Sequence, residues 1–406
     1  MYNKFRFFLH NYVALCRTGC IETPHGEIQT PAFVFCGTKA SIKGLSIDNV
    51  MQNGTQIILG NTYHLMLQPG ENIIFEHGGL HNFTGWNGPM MTDSGGFQIF
   101  SLGHGSVSSE IKRAHIQNTS SLVKITNDGA IFKSYINGDT YMLTPEKSME
   151  IQVKLGADLC FAFDECTAFN VPKEYTANSM RRSHEWEYRS LSAFSDLQKQ
   201  YSYQQALYGI VQGGVYLDLR EESAKFISDK NFFGNAIGGS LGGNQEQMYE
   251  IVEMTANMLK KYSIHKPIHL LGIGRMKDIV FGVSRGIDTF DCVHPTRIAR
   301  HGCALILPSY DTVKSNLLQL TFSSNREISL HYKDREFINL NNSIYANDKT
   351  PIQNECNCTC CIRYSKSYIH HLFKAKEILA LSAVTSHNVF VMNKFMSMIR
   401  QCINEM

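Results

Sequence analysis

Residues 206–214 read Ala-Leu-Tyr-Gly-Ile-Val-Gln-Gly-Gly. The run is apolar or small throughout and ends in an amide and two glycines. A helical pattern follows from Leu219 to Ser228, and then a second apolar run, Asn235 to Ser240. An unbroken apolar run of this length reads as a strand buried on both faces, and a helix joining two such strands makes them parallel. Outward from this unit the alternation repeats. Strand-like runs occur at Ala32 to Cys36, Gln56 to His64, Met90 to Phe97, Asp158 to Thr167, Ala206 to Gly213, Asn235 to Ser240, Ile268 to Gly274 and Thr289 to Thr296. Helical stretches lie between them, among them Glu146 to Leu155, Ala177 to Gln198, Leu219 to Ser228, Gln245 to Lys260 and Met276 to Arg285. Eight strands alternating with helices predict an α/β chain folded as a (β/α)8 barrel. An open doubly wound sheet is the competing architecture, but it would not gather the ends of the third and eighth strands at one point.

Composition agrees with a large folded core. Of 406 residues, 43% are hydrophobic, 11% aromatic and 18% charged, which excludes wholesale disorder. A net charge of +2 excludes a globally basic coat, so any nucleic-acid contact must use a local patch. No stretch has the ~20 apolar residues of a membrane span. The start, with Lys4 and Arg6 before Phe7-Phe8-Leu9 and then His10-Asn11, does not read as a signal peptide. Twelve scattered cysteines point to reduced thiols, a cytoplasmic setting and a metal rather than a disulfide framework. The division expected is a barrel over 1–305, with an N-terminal β extension and a loop or hairpin insertion near 103–127, and a zinc-binding subdomain with C-terminal helices over 306–406.

Four strand ends carry groups that stand out. They are Asp93-Ser94-Gly95-Gly96, Asp164-Glu165-Cys166, Gln212-Gly213-Gly214, and Asp291 shortly before His294-Pro295-Thr296-Arg297. A barrel builds its active site at the carboxyl ends of its strands, so these four would converge. The glycines after Asp93 would let backbone approach a planar ligand closely; the competing role for Asp93 is to cap the following helix. Asp164, on one face with Ala162 and Cys160, should be partly desolvated and its pKa raised; the competing role is a structural salt bridge. Asp288 lies toward the barrel base, which makes Asp291 the better mouth residue. Carboxylates gathered at one mouth suit chemistry at an acetal-like carbon, one attacking or stabilising the centre and another moving a proton.

The most specific local pattern is Cys356-x-Cys358-x2-Cys361, a metal knuckle one ligand short of tetrahedral zinc. His370, His371 and His387 are the candidates for the fourth position. A helix is expected over Ser367 to Thr385, with His387 at its end folding back to the knuckle. Three thiolates and an imidazole form a closed, structural site. Arg297, Arg300 and His301, with Arg363, Lys366, Lys374 and Lys376 near the knuckle, form a basic set suited to phosphates. Gly238 to Gly243 is glycine-rich but matches no Walker or Rossmann pattern.

Taken together these segments resemble the tRNA-guanine transglycosylase family of the bacterial, homodimeric type. The resemblance runs from about residue 12 to the C-terminus. It is carried by Leu59-Gly60-Asn61-Thr62-Tyr63-His64-Leu65, Thr92 to Gln98, Phe163 to Thr167, Gly209 to Gly214, Gly286 to Arg297 and the cysteine knuckle. It implies a TIM barrel with a zinc subdomain, acting in queuosine modification. The implied reaction replaces guanine at the wobble position of tRNAs with a GUN anticodon (Asp, Asn, His, Tyr) by a 7-deazaguanine, queuine or preQ1. By the resemblance Asp291 is the nucleophile on ribose C1′ and Asp93 the general acid/base. Asp164, Gln212 and the Gly239 backbone would read the base, with Ser94 and Ser240 beside them. Phe97 stands where the family usually has a stacking Tyr. Arg297 and Arg300 would hold anticodon-loop nucleotides. Cys356, Cys358, Cys361 and His387 would hold one zinc ion, because the family spacing selects His387. A homodimer is likewise implied.

One loop departs from the family. The usual Gly-Gly-Leu-Ala-Val-Gly-Glu is here Gly238-Gly239-Ser240-Leu241-Gly242-Gly243-Asn244. Loss of the carboxylate weakens the case for a cationic aminomethyl substituent, which favours queuine over preQ1 as the incoming base. Two other classes compete: a non-catalytic tRNA-binding accessory subunit, which would lack one of the two catalytic carboxylates, and a sugar-hydrolysing barrel, which would need neither knuckle nor basic tail.

Overall fold

In the computed structural model, which describes residues 2–99, 123–201, 203–323 and 325–406, each of the eight apolar runs supplies one strand of a closed parallel barrel. The chain opens with an antiparallel sheet of β1 (Arg6–Val13), β2 (Cys16–Thr23) and β3 (Gly26–Thr30). Barrel strands β4 (Ala32–Gly37), β5 (Ile58–Gly60) and β6 (Met90–Thr92) follow. A second antiparallel sheet, β7 (Val123–Ile125), β8 (Ala130–Lys133) and β9 (Thr140–Leu143), is inserted before β10 (Leu159–Phe161). The barrel then continues through β11 (Ala206–Val211), β12 (Gly234–Ile237), β13 (Ile268–Leu270) and β14 (Thr289–Cys292). It closes where β14 pairs with β4, Asp291 standing opposite Val34. A short ribbon of β15 (Cys303–Leu305) and β16 (Phe337–Asn339) lies beyond.

Alternation along the strands explains the two cores. Ala32 and Val34, Leu59, Met91, Leu159 and Phe161, Ala206, Tyr208 and Ile210, and Ala236 pack together, with Phe5, Ile21 and Ile28 of the N-terminal segment joining them. The intervening Phe33, Phe35, Ile58, Met90, Cys160, Leu207, Ile237 and Phe290 belong to the core shared with the helices. A period of two sends neighbours to opposite faces, so one set of strands serves both layers.

Apart from β4, the strands are shorter than the apolar runs. In 56–64 only Ile58–Gly60 pairs, and Thr62–Leu67 is a helix. In 158–167 pairing ends at Phe161. The residues beyond are apolar because they are buried in the mouth, not because they lie in a ladder. The five helices expected between strands are present, as Pro145–Leu155, Lys173–Gln200, Leu217–Ser228, Gln245–Ser263 and Met276–Ser284. The single helix expected over 367–385 is two, Lys366–Lys374 and Ile378–Asn404, broken at Lys376 with φ of 59°. His387 therefore sits inside the second helix, not at the end of one. Most of the segment expected as an insertion, 103–122, lies outside the described residues, and β7 begins directly after it. Among the described residues no helix is long and apolar enough to cross a membrane.

Candidate active site and metal centre

Asp291 is an inward-facing residue near the end of β14, 15% exposed at the side chain. Its Oδ1 accepts the Gly272 backbone N–H (3.0 Å) and lies 3.1 Å from His269 Nε2. A carboxylate only accepts, so in the neutral ring Nε2 carries the proton and Nδ1 faces the Thr289 hydroxyl at 2.8 Å. Among the described residues the other oxygen, Oδ2, meets only the Cys36 thiol, at 3.6 Å. Asp291 is thus fixed through one oxygen while the second has a weak thiol contact. His269 breaks an otherwise apolar strand; that interruption was the signal for it in the sequence, and sequence reasoning passed over it.

Asp93 follows β6 across the mouth. Its Oδ1 accepts the Thr62 N–H (2.8 Å) at the start of Thr62–Leu67, and Oδ2 accepts from the Asn61 amide. Asn61 itself caps that helix through His64 N–H (3.0 Å). Burial raises the Asp93 pKa to about 7; the Thr62 hydrogen bond opposes the shift and the charge of Asp291 adds to it. A Gln98 hydrogen bond also opposes it.

Asp164 is buried beyond the end of β10. Its oxygens accept from Gln212 Nε2 (2.6 Å) and Ser94 Oγ (3.2 Å). Burial lifts its pKa to about 6 against both hydrogen bonds, as its apolar setting predicts. The close backbone approach expected at the glycines after Asp93 occurs, but toward protein: a Cβ on Gly96 would lie 2.5 Å from the Asp164 carbonyl oxygen. Gly239, with φ of 76°, sits against Gln212 in the same way: a Cβ there would lie 2.4 Å from Gln212 Oε1. Among the described residues that buried Oε1 has no hydrogen-bond partner.

Helices take over where strand pairing stops. On Lys173–Gln200, Ser190 Oγ accepts the Phe163 N–H (3.2 Å), Ser183 Oγ the Glu165 N–H (3.0 Å), and Glu187 Oε1 the Ile210 N–H (2.9 Å). Positions 183, 187 and 190 share one helix face; Ser183 and Ser190 splint the unpaired backbone carrying Asp164, and Glu187 holds the neighbouring strand β11. Burial, with the nearby Asp164 charge, pushes the Glu187 carboxyl well above the carboxylate range. Gln152 of Pro145–Leu155 does the same for Phe161, accepting its N–H (3.2 Å) and donating to its carbonyl (2.9 Å). Glu165, next to Asp164, is engaged elsewhere, by Arg182 and by Tyr175 (2.9 Å).

The short helix His294–Ala299 follows β14 and carries Arg297, exposed, and Arg300, whose Nη1 donates to the Thr296 carbonyl (2.7 Å). Phe97 is 47% exposed. Ser240 is half-buried after β12, and Asn244 caps Gln245–Ser263 by accepting the Gln247 N–H (2.9 Å).

The cysteine knuckle meets His387. Its Nδ1 lies 3.8, 3.3 and 3.4 Å from the Sγ atoms of Cys356, Cys358 and Cys361. All four ligand atoms fall within 4.8 Å of one another. Tetrahedral zinc with metal–sulfur bonds of ~2.3 Å and a metal–nitrogen bond of ~2.0 Å needs sulfur–nitrogen edges of about 3.6 Å, so the donor set and spacing fit. His387 Nε2 is oriented by the Leu305 carbonyl at 2.8 Å, the outer-shell contact a metal-bound imidazole requires. His370 turns instead to the Leu340 carbonyl (2.7 Å). The cluster can bind a metal ion of this type.

The family model described as queuine tRNA-ribosyltransferase matches residues 14–406. The chain is 46% identical over 397 residues to a queuine tRNA-ribosyltransferase of Roseiflexus sp. (strain RS-1), covering 96% of this chain and 93% of that one. It is 42% identical over 402 residues to that of Rickettsia canadensis (strain McKiel), covering 99% and 97%. It is 42% identical over 390 residues to that of Caldanaerobacter subterraneus subsp. tengcongensis, covering 96% and 90%.

Proposed function

The chain belongs to the queuine tRNA-ribosyltransferase family, and we propose that it exchanges the wobble guanine of GUN-anticodon tRNAs for a 7-deazaguanine by double displacement. The observation that carries the mechanism is the one-sided anchoring of Asp291. With Oδ1 tied to Gly272 and His269, Oδ2 is the atom that bonds to ribose C1′ as the C1′–N9 bond breaks. The bond's electron pair leaves with guanine, which takes a proton from Asp93. The incoming base returns a proton to Asp93, its N9 bonds to C1′, and the aspartyl bond is released. A pKa of about 7 suits Asp93 to both transfers near neutral pH.

Asp164, Gln212 and the Gly239 backbone read the purine edge, with Ser94 and Ser240 beside them and Phe97 stacking on the ring. An unpaired buried polar group in that edge costs about 1–3 kcal/mol, which supplies the discrimination. Arg297 and Arg300 hold anticodon-loop phosphates, where a single-stranded loop makes the target base cheap to splay out. The incoming base is queuine: Asn244 is neutral and spends its side-chain oxygen on the Gln247 N–H, so no carboxylate at this position meets an aminomethyl cation. The barrel over 1–305 does this chemistry, and the zinc-binding subdomain over 306–406 shapes its flank. The enzyme works in the cytoplasm as a homodimer.

The test follows release of labelled guanine from the wobble position of a GUN-anticodon tRNA on adding queuine or preQ1. Queuine should drive release, and Asp291→Asn should abolish it while tRNA still binds. Persistent exchange in Asp291→Asn removes the nucleophile assignment. A preference for preQ1 of about tenfold, or 1.4 kcal/mol, removes the queuine assignment. Zinc, held by Cys356, Cys358, Cys361 and His387, is structural. A chelator should therefore raise protease sensitivity of the 306–406 region before activity falls; rapid inactivation with the region still protected would contradict that role.

A further inference from the structure

Arg220, on the helix Leu217–Ser228, is fully buried, and among the described residues no carboxylate pairs with it. An unpaired buried cation is costly, so its surroundings must supply the compensation. They do so with four backbone carbonyls. Nε donates to Gly214 O (2.8 Å), Nη1 to Val211 O (3.0 Å) and Gly238 O (2.8 Å), and Nη2 to Ser240 O (3.4 Å). The contacts bracket two residues. Val211 and Gly214 lie on either side of Gln212, and Gly238 and Ser240 on either side of Gly239. These two segments leave the barrel from adjacent strands, β11 and β12; past Val211 and Ile237 one backbone hydrogen bond, Gly238 N–H to the Val211 carbonyl (3.1 Å), still ties them, and among the described residues no backbone bond joins Gln212–Gly214 to Gly239–Ser240. Only a planar fork with several fixed donors spans both; a lysine has one point charge on a flexible stem.

We infer that Arg220 is a positioning residue for base recognition, locking Gln212 and the Gly239 backbone into one rigid edge. The inference rests on the reading that Gln212 and Gly239 face the exchanged base. Asp291 and Asp93 lie on other strand ends, outside the bracket. Loss of the fork should therefore weaken the hold on the base more than it slows the chemistry.

The experiment measures kcat and KM for guanine in tRNA exchange, the Kd for tRNA, and Tm. The variants are Arg220→Lys, Arg220→Met and Gln212→Ala, with Leu317→Ala as a control. Leu317 is buried in the helix Tyr310–Phe322, apart from the mouth, and reports the effect of lost stability alone. Arg220→Met keeps the bulk without the charge and serves if the lysine variant does not fold. The expected result for Arg220→Lys or Arg220→Met is a rise in KM for guanine of about tenfold or more, exceeding the fall in kcat, with tRNA Kd within about twofold. Leu317→Ala should lower Tm without moving KM. The inference is overturned if a folded Arg220 variant keeps KM within about twofold. It is also overturned if Leu317→Ala moves KM equally, or if neither Arg220 variant folds. If Gln212→Ala leaves KM unchanged, the base-edge reading itself fails and takes this inference with it; if Gln212→Ala raises KM and the Arg220 variants do not, only the inference fails.

Discussion

Two barrel strands carry an aspartate toward each end, and the two ends treat them differently. At the base, Asp288 just before β14 is gripped by Arg17 through Nε (2.9 Å) and Nη2, and its Oδ2 also accepts the Ile268 N–H (2.6 Å). Asp158 just before β10 faces His25 (2.7 Å) and His81 (3.2 Å) and accepts the Met90 N–H (2.8 Å). At the mouth, Asp291 leaves one oxygen to a weak thiol contact, and Asp164 is held by a neutral amide and a hydroxyl. Both base carboxylates face groups that can carry positive charge on one or both oxygens. At the mouth Asp164 is held by neutral dipoles, and Asp291 meets an imidazole and a backbone N–H through one oxygen, leaving the other to the thiol. The first arrangement holds a fold together, and the second leaves carboxylate charge poorly compensated at a cost in stability, as the proposed chemistry would need.

The largest test of this contrast pits the two residues of the β14 segment against each other. Asp288→Asn leaves Arg17 buried beside a neutral partner and should cost about 3–5 kcal/mol in urea unfolding, the folded fraction keeping its turnover. Asp291→Asn should change stability by less than about 1 kcal/mol while removing exchange. Equal losses of stability in both variants would erase the distinction between base and mouth.

A smaller effect, of opposite sign at the two ends of β10, appears against pH. Burial lifts Asp164 to about 6, above its ordinary 3.8, so the folded protein binds that proton more tightly. Its favourable contribution is complete below about 3.8 and is lost as pH rises through about 6. Asp164→Asn should therefore gain on the parent as pH rises from about 3.8 through about 6, by about 1–3 kcal/mol. Burial also opposes the charge of Asp158, but the His25 and His81 contacts outweigh it and leave that pKa below 3.8. Its contribution is present above the ordinary value and lost as pH falls through the folded one, so the penalty of Asp158→Asn should shrink in acid. Parallel pH profiles for the two variants would break the comparison. The smallest effect sharpens it: Ser190→Ala strands the Phe163 N–H and should cost about 1 kcal/mol, with a measurable fall in exchange rate because Asp164 loses its splint.

The barrel was legible because most of each strand run is apolar, even where His269, Asn235 or Asp291 interrupts it, and the connecting helices keep their period. Its strand ends were not, since mouth loops and paired strands are equally apolar, as in 158–167. Carboxylates, amides and cysteines at those ends advertise themselves by type. Their supports do not: Ser183, Ser190, Gln152 and Arg220 sit in helices where nothing in the local sequence says which backbone group they will meet across the fold. The break at Lys376 was hidden for a related reason, because a positively charged residue within a helical pattern carries no mark of a positive φ.

The last helix has a consequence for how the protein is made. Ile378–Asn404 brings His387 to the knuckle, while its neighbour Asn388 binds the carbonyls of Pro295 (2.9 Å) and Cys303 (3.1 Å) and accepts the Leu305 N–H (2.9 Å). Further along, Arg400 donates to the Pro31 carbonyl (2.7 Å), just ahead of β4. The same helix therefore clasps the segment after β14 and the segment before β4, the two strands whose pairing closes the barrel. A nascent chain emerging from the ribosome in order can assemble most of its strands early, but the clasp over the seam forms only when this helix has emerged. A product that ends before residue 387 lacks both the clasp and the histidine of the metal-binding cluster, so such a truncation would disable closure and that cluster together.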